Sequence, residues 1–142
     1  ALALHTEALQ MRRRCGDDLG TSSSLGNLAF LALTDVPSPR YRDALPLYEE
    51  SMTIRERLGD RWGVAGSALQ LAAVNLHLNR PHQASSHLRD ALCGFENVGD
   101  ELGFVESADV TALLCELQGD AAGAAVALGI VDAHRYAREC GL

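Results

Sequence analysis

The string Gly59-Asp60-Arg61-Trp62-Gly63 has a near copy upstream, at Gly16-Asp17-Asp18-Leu19-Gly20, and another downstream, at Gly99-Asp100-Glu101-Leu102-Gly103. Self-similarity at a period of roughly 40 residues marks a stacked repeat. Counting on from the last glycine of each copy, the fifth residue is Leu25, Ala68 or Ala108, and the eighth is Leu28, Leu71 or Thr111. The ninth is alanine throughout (Ala29, Ala72, Ala112), and the twelfth is Ala32, Asn75 or Cys115. Offsets of 5, 8, 9 and 12 describe one face of an α-helix. The invariant alanine slot suits close helix–helix approach.

A second helical pattern follows in each unit. It starts from Ala44, Ala84 or Ala124, with Tyr48, Leu88 or Leu128 four residues on. Ser51, Ala91 and Val131 stand seven on, and Met52, Leu92 and Asp132 eight on. Between the two patterns lie turn signals: Asp35-Val36-Pro37-Ser38-Pro39-Arg40, Asn79-Arg80-Pro81 and Gly119-Asp120. Proline stiffens the first of these, while Asn and Gly accept the left-handed conformation that ends a helix. Residues 1–17 align with 44–60, so the chain opens on the second helix of a unit and reads as a piece of something longer. The layout predicts seven helices, at about 1–15, 18–33, 42–58, 61–78, 82–97, 101–118 and 121–139.

Within the repeated phrase, Gly16, Gly59 and Gly99 fall where a helix must stop, and Asp17, Asp60 and Asp100 where the next needs a cap. Arg12–Arg14 and Arg55–Arg57 close the preceding helices, where positive charge suits the dipole. Leu19, Trp62 and Leu102 share a large apolar slot, expected to pack beneath the joint. Cys15 shares its slot with Leu58 and Val98 and is expected to be buried.

At 142 residues the chain is long enough for a substantial core. Its composition, 47% hydrophobic and 22% charged with 5% aromatics, favours helix packing. The net charge of −7 argues against general affinity for nucleic acid or an anionic membrane. All twelve basic residues are arginine, which reads as the codon bias of a GC-rich bacterial genome. No apolar run approaches the roughly 18 residues that span a bilayer, and a cytoplasmic location is expected. The cysteines at 15, 93, 115 and 140 contain no CxxC pair, and no two of the five histidines stand at i, i+3 or i+4. Neither set suggests a metal. With no nucleophile elbow, phosphate loop or paired carboxylates, no catalysis and no cofactor are expected.

These features resemble the tetratricopeptide repeat, a family of antiparallel helix pairs with a 34-residue unit. Its small-residue slots hold Ala29, Ala44 and Ser51, then Ala72, Ala84 and Ala91, then Ala112, Ala124 and Val131. The longer period here looks like the extended variant found in kinesin light chain and in bacterial signal-transduction ATPases and transcriptional regulators. Departures are the loss of the slot-four Trp, replaced by Leu25, Ala68 and Ala108, and a third unit that matches least well.

The resemblance implies an all-α solenoid, a right-handed superhelix of helix pairs, divided as a partial unit over 1–17 and units over 18–60, 61–100 and 101–142. It implies a groove lined by the first helix of each unit. Groove positions would be Ser23, Asn27, Phe30 and Thr34, then Gln70, Ala73 and His77, then Glu106, Asp109, Leu113 and Glu116. This surface turns acidic toward the C-terminal end and suits a neutral or basic peptide segment. The function so implied is a protein–protein or peptide interaction scaffold within a larger bacterial regulatory protein. Two alternatives are a small-molecule or inducer sensor module and a homo-oligomer formed through the repeat ends.

Overall fold

The computed structural model describes residues 2–35, 37–120, 123–124, 127–129 and 132. Six helices run in order: α1 (Leu2–Cys15), α2 (Asp18–Leu33), α3 (Tyr41–Leu58), α4 (Arg61–His77), α5 (Pro81–Val98) and α6 (Glu101–Leu117). Their ends fall within a residue of the boundaries expected from the repeat. The described residues contain no strand. The seventh helix, expected over 121–139, falls largely outside the described residues; 123–124, 127–129 and 132 are helical. Each helix packs on its neighbour in sequence, and α4 also touches α6. The chain is therefore an all-α solenoid of adjacent helix pairs.

The repeated phrase builds the joints. Gly59 and Gly99 close α3 and α5 at φ 69° and 70°, in the left-handed region that disfavours residues with a Cβ. The carboxylates of Asp17, Asp60 and Asp100 accept from the backbone N–H groups of Gly20, Gly63 and Gly103 at 2.8, 2.9 and 3.0 Å. Each cap satisfies a donor that the first helical turn leaves free. The final glycine is fixed by crowding. A Cβ on Gly63 would run into the Asp60 carboxylate and the Arg55 guanidinium, and one on Gly103 into the ring of Phe95. The phrase stands a fourth time, at Gly119-Asp120-Ala121-Ala122-Gly123, half a period after the third. There Asp120 accepts from Gly123 N–H at 3.0 Å. The same joint thus serves the turn that follows α6, a place to which the full repeat period does not lead.

The other turns are built differently. Asn79 takes the left-handed conformation at φ 57°, and Pro81 opens α5. Neither α3 nor α5 has a side-chain cap; Arg40 and Arg80 stand at their N-caps. Arg40 instead ties its loop together, 3.1 Å from Asp35 and 3.5 Å from Asp43.

The core is layered between helices. One layer joins Ala29, Ala32, Ala44 and Tyr48 to Leu71 and Val74. A second runs from Ala65, Ala68 and Leu69 to Leu88, Phe95 and Leu114. A third holds Leu9, Leu25, Leu28 and Ile54. The alanine slot lies fully inside: Ala29, Ala72 and Ala112 are all buried. Two polar groups are accommodated by bonding. Ser51 Oγ donates across to the Ser22 carbonyl at 2.9 Å, and Asn75 Nδ2 donates back to the Leu71 carbonyl at 2.8 Å.

The slot of Cys15, Leu58 and Val98 is a correction. All three are exposed, each as the last residue of its helix and beyond that helix's last buried side chain. Leu128 is also exposed, unlike its counterparts Tyr48 and Leu88.

Candidate interaction surface

Helices α2, α4 and α6 each carry helices on two sides, so each keeps one exposed stripe. Relative to the last glycine of the phrase, the stripe holds the residue just before it and those 3, 7, 10 and 14 after it. In α2 these are Leu19, Ser23, Asn27, Phe30 and Thr34; in α4 they are Trp62, Gly66, Gln70, Ala73 and His77. In α6 they are Leu102, Glu106, Val110, Leu113 and Leu117. Steps of three and four keep all five on one helical face.

All eight principal groove residues expected from the sequence are exposed: Asn27, Phe30, Thr34, Gln70, His77, Glu106, Asp109 and Leu113. Glu116 is exposed as well, while Ser23 and Ala73 are half-buried. They do not form one line. Asp109 and Glu116 correspond, one repeat earlier, to Leu69 and Leu76 of α4, which are buried. The two acidic residues therefore flank the α6 stripe, and Val110 is the true counterpart of Asn27 and Gln70. His77 is not free in the groove either. Its ring stacks on Tyr41, with centroids 4.3 Å apart and planes 18° from parallel.

The apolar slot at the joint is the main correction. Leu19, Trp62 and Leu102 do not wedge beneath it; they are 57%, 58% and 55% exposed. Each sits in the first turn of its helix, four residues before Ser23, Gly66 or Glu106, on the same face. That i, i+4 relation is present in the sequence and puts these side chains with the groove residues. With Phe30 at 58% and Leu113 at 45%, the stripe carries large apolar side chains at both ends. Exposed apolar residues that gather on one face mark interaction sites, where scattered ones do not.

Electrostatics distinguish the helices. Glu101, Glu106, Asp109 and Glu116 on α6 have no salt-bridge partner among the described residues. On α2, Asp18 lies 3.8 Å from Arg57. The three joints treat their capping aspartates differently. Arg12 and Arg55 stand 3.9 and 3.8 Å from Asp17 and Asp60. Phe95 occupies that arginine slot in the third joint, and the indole of Trp62 donates to Asp100 instead. The Gly103 N–H, followed by this indole N–H, holds the Asp100 carboxyl below the usual carboxylate range.

Arg12 does more than complement a helix dipole. Its Nη1 donates to the Gly20 carbonyl at 2.7 Å and to Ser24 Oγ at 2.8 Å, pinning α1 to α2.

Away from the stripe, open grooves recur behind the joints. One of about 410 Å³ is lined by Glu56, Gly59, Arg61 and Val64 with Gly94 and Asn97. Another of about 380 Å³ repeats its first wall one unit later at Glu96, Gly99, Glu101 and Phe104. Among the described residues no group of three or more His, Cys, Asp or Glu side chains is placed to hold a metal ion. No described helix is long and apolar enough to cross a membrane. No protein-family model matches the chain, and no curated protein matches it.

Proposed function

We propose that this chain is a protein- or peptide-docking scaffold that works through the stripe of α2, α4 and α6, as part of a bacterial regulatory protein acting in the cytoplasm. The observation that carries the reading is the exposure of Leu19, Trp62 and Leu102, with Phe30 and Leu113, at equivalent positions of the stripe on α2, α4 and α6. Keeping such side chains in water has no benefit to folding, and their burial by a partner supplies the driving force for association. Asn27 and Gln70 stand between the apolar rows and offer amide donors and acceptors to a partner.

Selection from a random peptide display library tests it. Peptides are recovered on the wild-type protein and counter-selected on an Asn27→Ala/Gln70→Ala/Phe30→Ser variant with unchanged helical circular dichroism. Peptides that bind only the wild type support the reading. If every recovered peptide binds both proteins equally, the stripe is not the docking surface.

A separate observation favours self-association as a second reading. Helix α1 leaves Leu4 and Met11, seven residues apart on one face, 71% and 58% exposed. Light scattering over a dilution series decides it: a monomer mass at every concentration removes self-association.

A further inference from the structure

We propose that the stripe is a trough for one amphipathic α-helix of a partner protein, lying across α2, α4 and α6 with its basic residues over α6. This rests on the docking reading above and adds the partner's shape and charge.

The shape follows from the two apolar rows. Leu19, Trp62 and Leu102 form one wall, and Phe30 and Leu113 form the other. Wall positions on one helix are eleven residues apart, or about 16 Å at ~1.5 Å per residue. Between them lie half-buried Ser23 and Gly66, then exposed Asn27 and Gln70. A helix with its side chains is about 10–12 Å across and fits that width. The bond from the Trp62 indole to Asp100 brings the starts of α4 and α6 together along the first wall.

The charge follows from α6. Over α2 and α4 the floor is uncharged, whereas over α6 it carries Glu106, flanked by Asp109. Glu116 lies further along the same helix, and none of the three has a salt-bridge partner among the described residues. Arginine or lysine at that end of the partner helix completes these carboxylates; acidic residues there meet repulsion.

The test uses two synthetic 18-residue amphipathic helical peptides with the same leucines, one with lysines at one end and a twin with glutamates in their place. Binding is read by anisotropy of the labelled peptide. The unlabelled peptide is read through the emission of Trp62, the one tryptophan in the chain. The lysine peptide is expected to bind, shift Trp62 emission to the blue and weaken with added salt. The glutamate twin is expected to bind about tenfold more weakly. A Glu106→Gln/Asp109→Asn variant, whose altered residues are exposed, is expected to erase most of that discrimination while retaining its helical signal.

Equal binding of the twins overturns the basic partner. Lysine-peptide binding that leaves Trp62 emission unchanged, and that Phe30→Ser does not weaken, overturns the trough. No binding by either peptide, while display selection still yields stripe-dependent peptides, overturns the helical occupant and leaves the docking reading standing. Loss of the display result as well removes both.

Discussion

The indole Nε1 of Trp62 donates to Oδ2 of Asp100 at 2.5 Å, while the other oxygen of that carboxylate caps α6. One side chain thus joins the first turn of α4 to the first turn of α6 and stays 58% exposed on the outer side. Trp62 is a wall of the proposed trough and a tie between neighbouring helix pairs. The indole N–H is therefore a reporter of Asp100. In an NMR titration its proton resonance is expected to move with a midpoint below the usual carboxylate range, since Asp100 is held down by Gly103 N–H and by the indole itself. The sign follows: this carboxylate's contribution to stability is present above the unfolded value and is lost as pH falls through the folded one. Trp62→Phe removes one donor, so the Asp100 midpoint rises in a carbon-detected titration. An unchanged midpoint means the hydrogen bond has no weight in solution.

The capping aspartates are not equal. Asp17→Ala is expected to cost about 1 kcal/mol, the usual value of an N-cap. Its neighbour Arg12 keeps Gly20 O and Ser24 Oγ as acceptors. Asp60→Ala is expected to cost more, about 2 kcal/mol, because it also strips a guanidinium of its counter-charge. The Arg55 side chain is only 18% exposed, and its Nε is buried without a partner. Urea denaturation of the two variants ranks them; equal costs mean that the loss of counter-charge at Arg55 adds nothing.

What is legible in the sequence is what local bonds decide. Gly59 stops a helix and Asp60 caps the next through contacts within one turn of chain on either side, so spacing alone places six helices to within a residue. The alanine slot at Ala29, Ala72 and Ala112 is legible too, because helical periodicity separates an inside from an outside. Pairings between helices are not. Trp62 with Asp100, Tyr41 with His77 and Arg13 with Glu50 each join two helices that are not consecutive turns of one chain segment, and the way the pairs stack decides them. For Leu19, Trp62 and Leu102 two signals in the sequence conflict: register puts them with the groove positions, and apolar bulk points them inward. Large apolar side chains are expected inside, yet apolar residues also contribute much of a folded surface. Asp109 falls one slot from the stripe, since polarity points to it where register points to Val110.

Two glycines in helices predict opposite signs. A Cβ on Gly94 would meet Ala65 Cβ at 2.7 Å, where α5 crosses α4. Gly94→Ala is expected to destabilise by about 1–3 kcal/mol through overpacking, despite the better helix propensity of alanine. A Cβ on Gly66 would meet nothing within 4 Å. Gly66→Ala is expected to stabilise by about 0.5–1 kcal/mol. Thermal melts of both variants check this, and the same sign for both refutes the close approach of α4 and α5.

Tyr48 supplies a prediction at the alkaline end. Packed with Ala29 and Ala32, its hydroxyl is pushed by burial from 10.0 up to about 12. Above pH 10 the unfolded chain releases this proton while the folded chain keeps it, so the unfolded state binds fewer protons and stability falls as pH rises. The window is pH 10 to about 12, and below 10 the residue contributes no slope. Tyr48→Phe keeps the ring and removes the titrating group. Its stability, followed by urea denaturation from pH 8 to 11.5, is expected to decline less steeply than that of the wild type above pH 10. Parallel curves across that window would place the Tyr48 hydroxyl in contact with water and open the layer between α2 and α3.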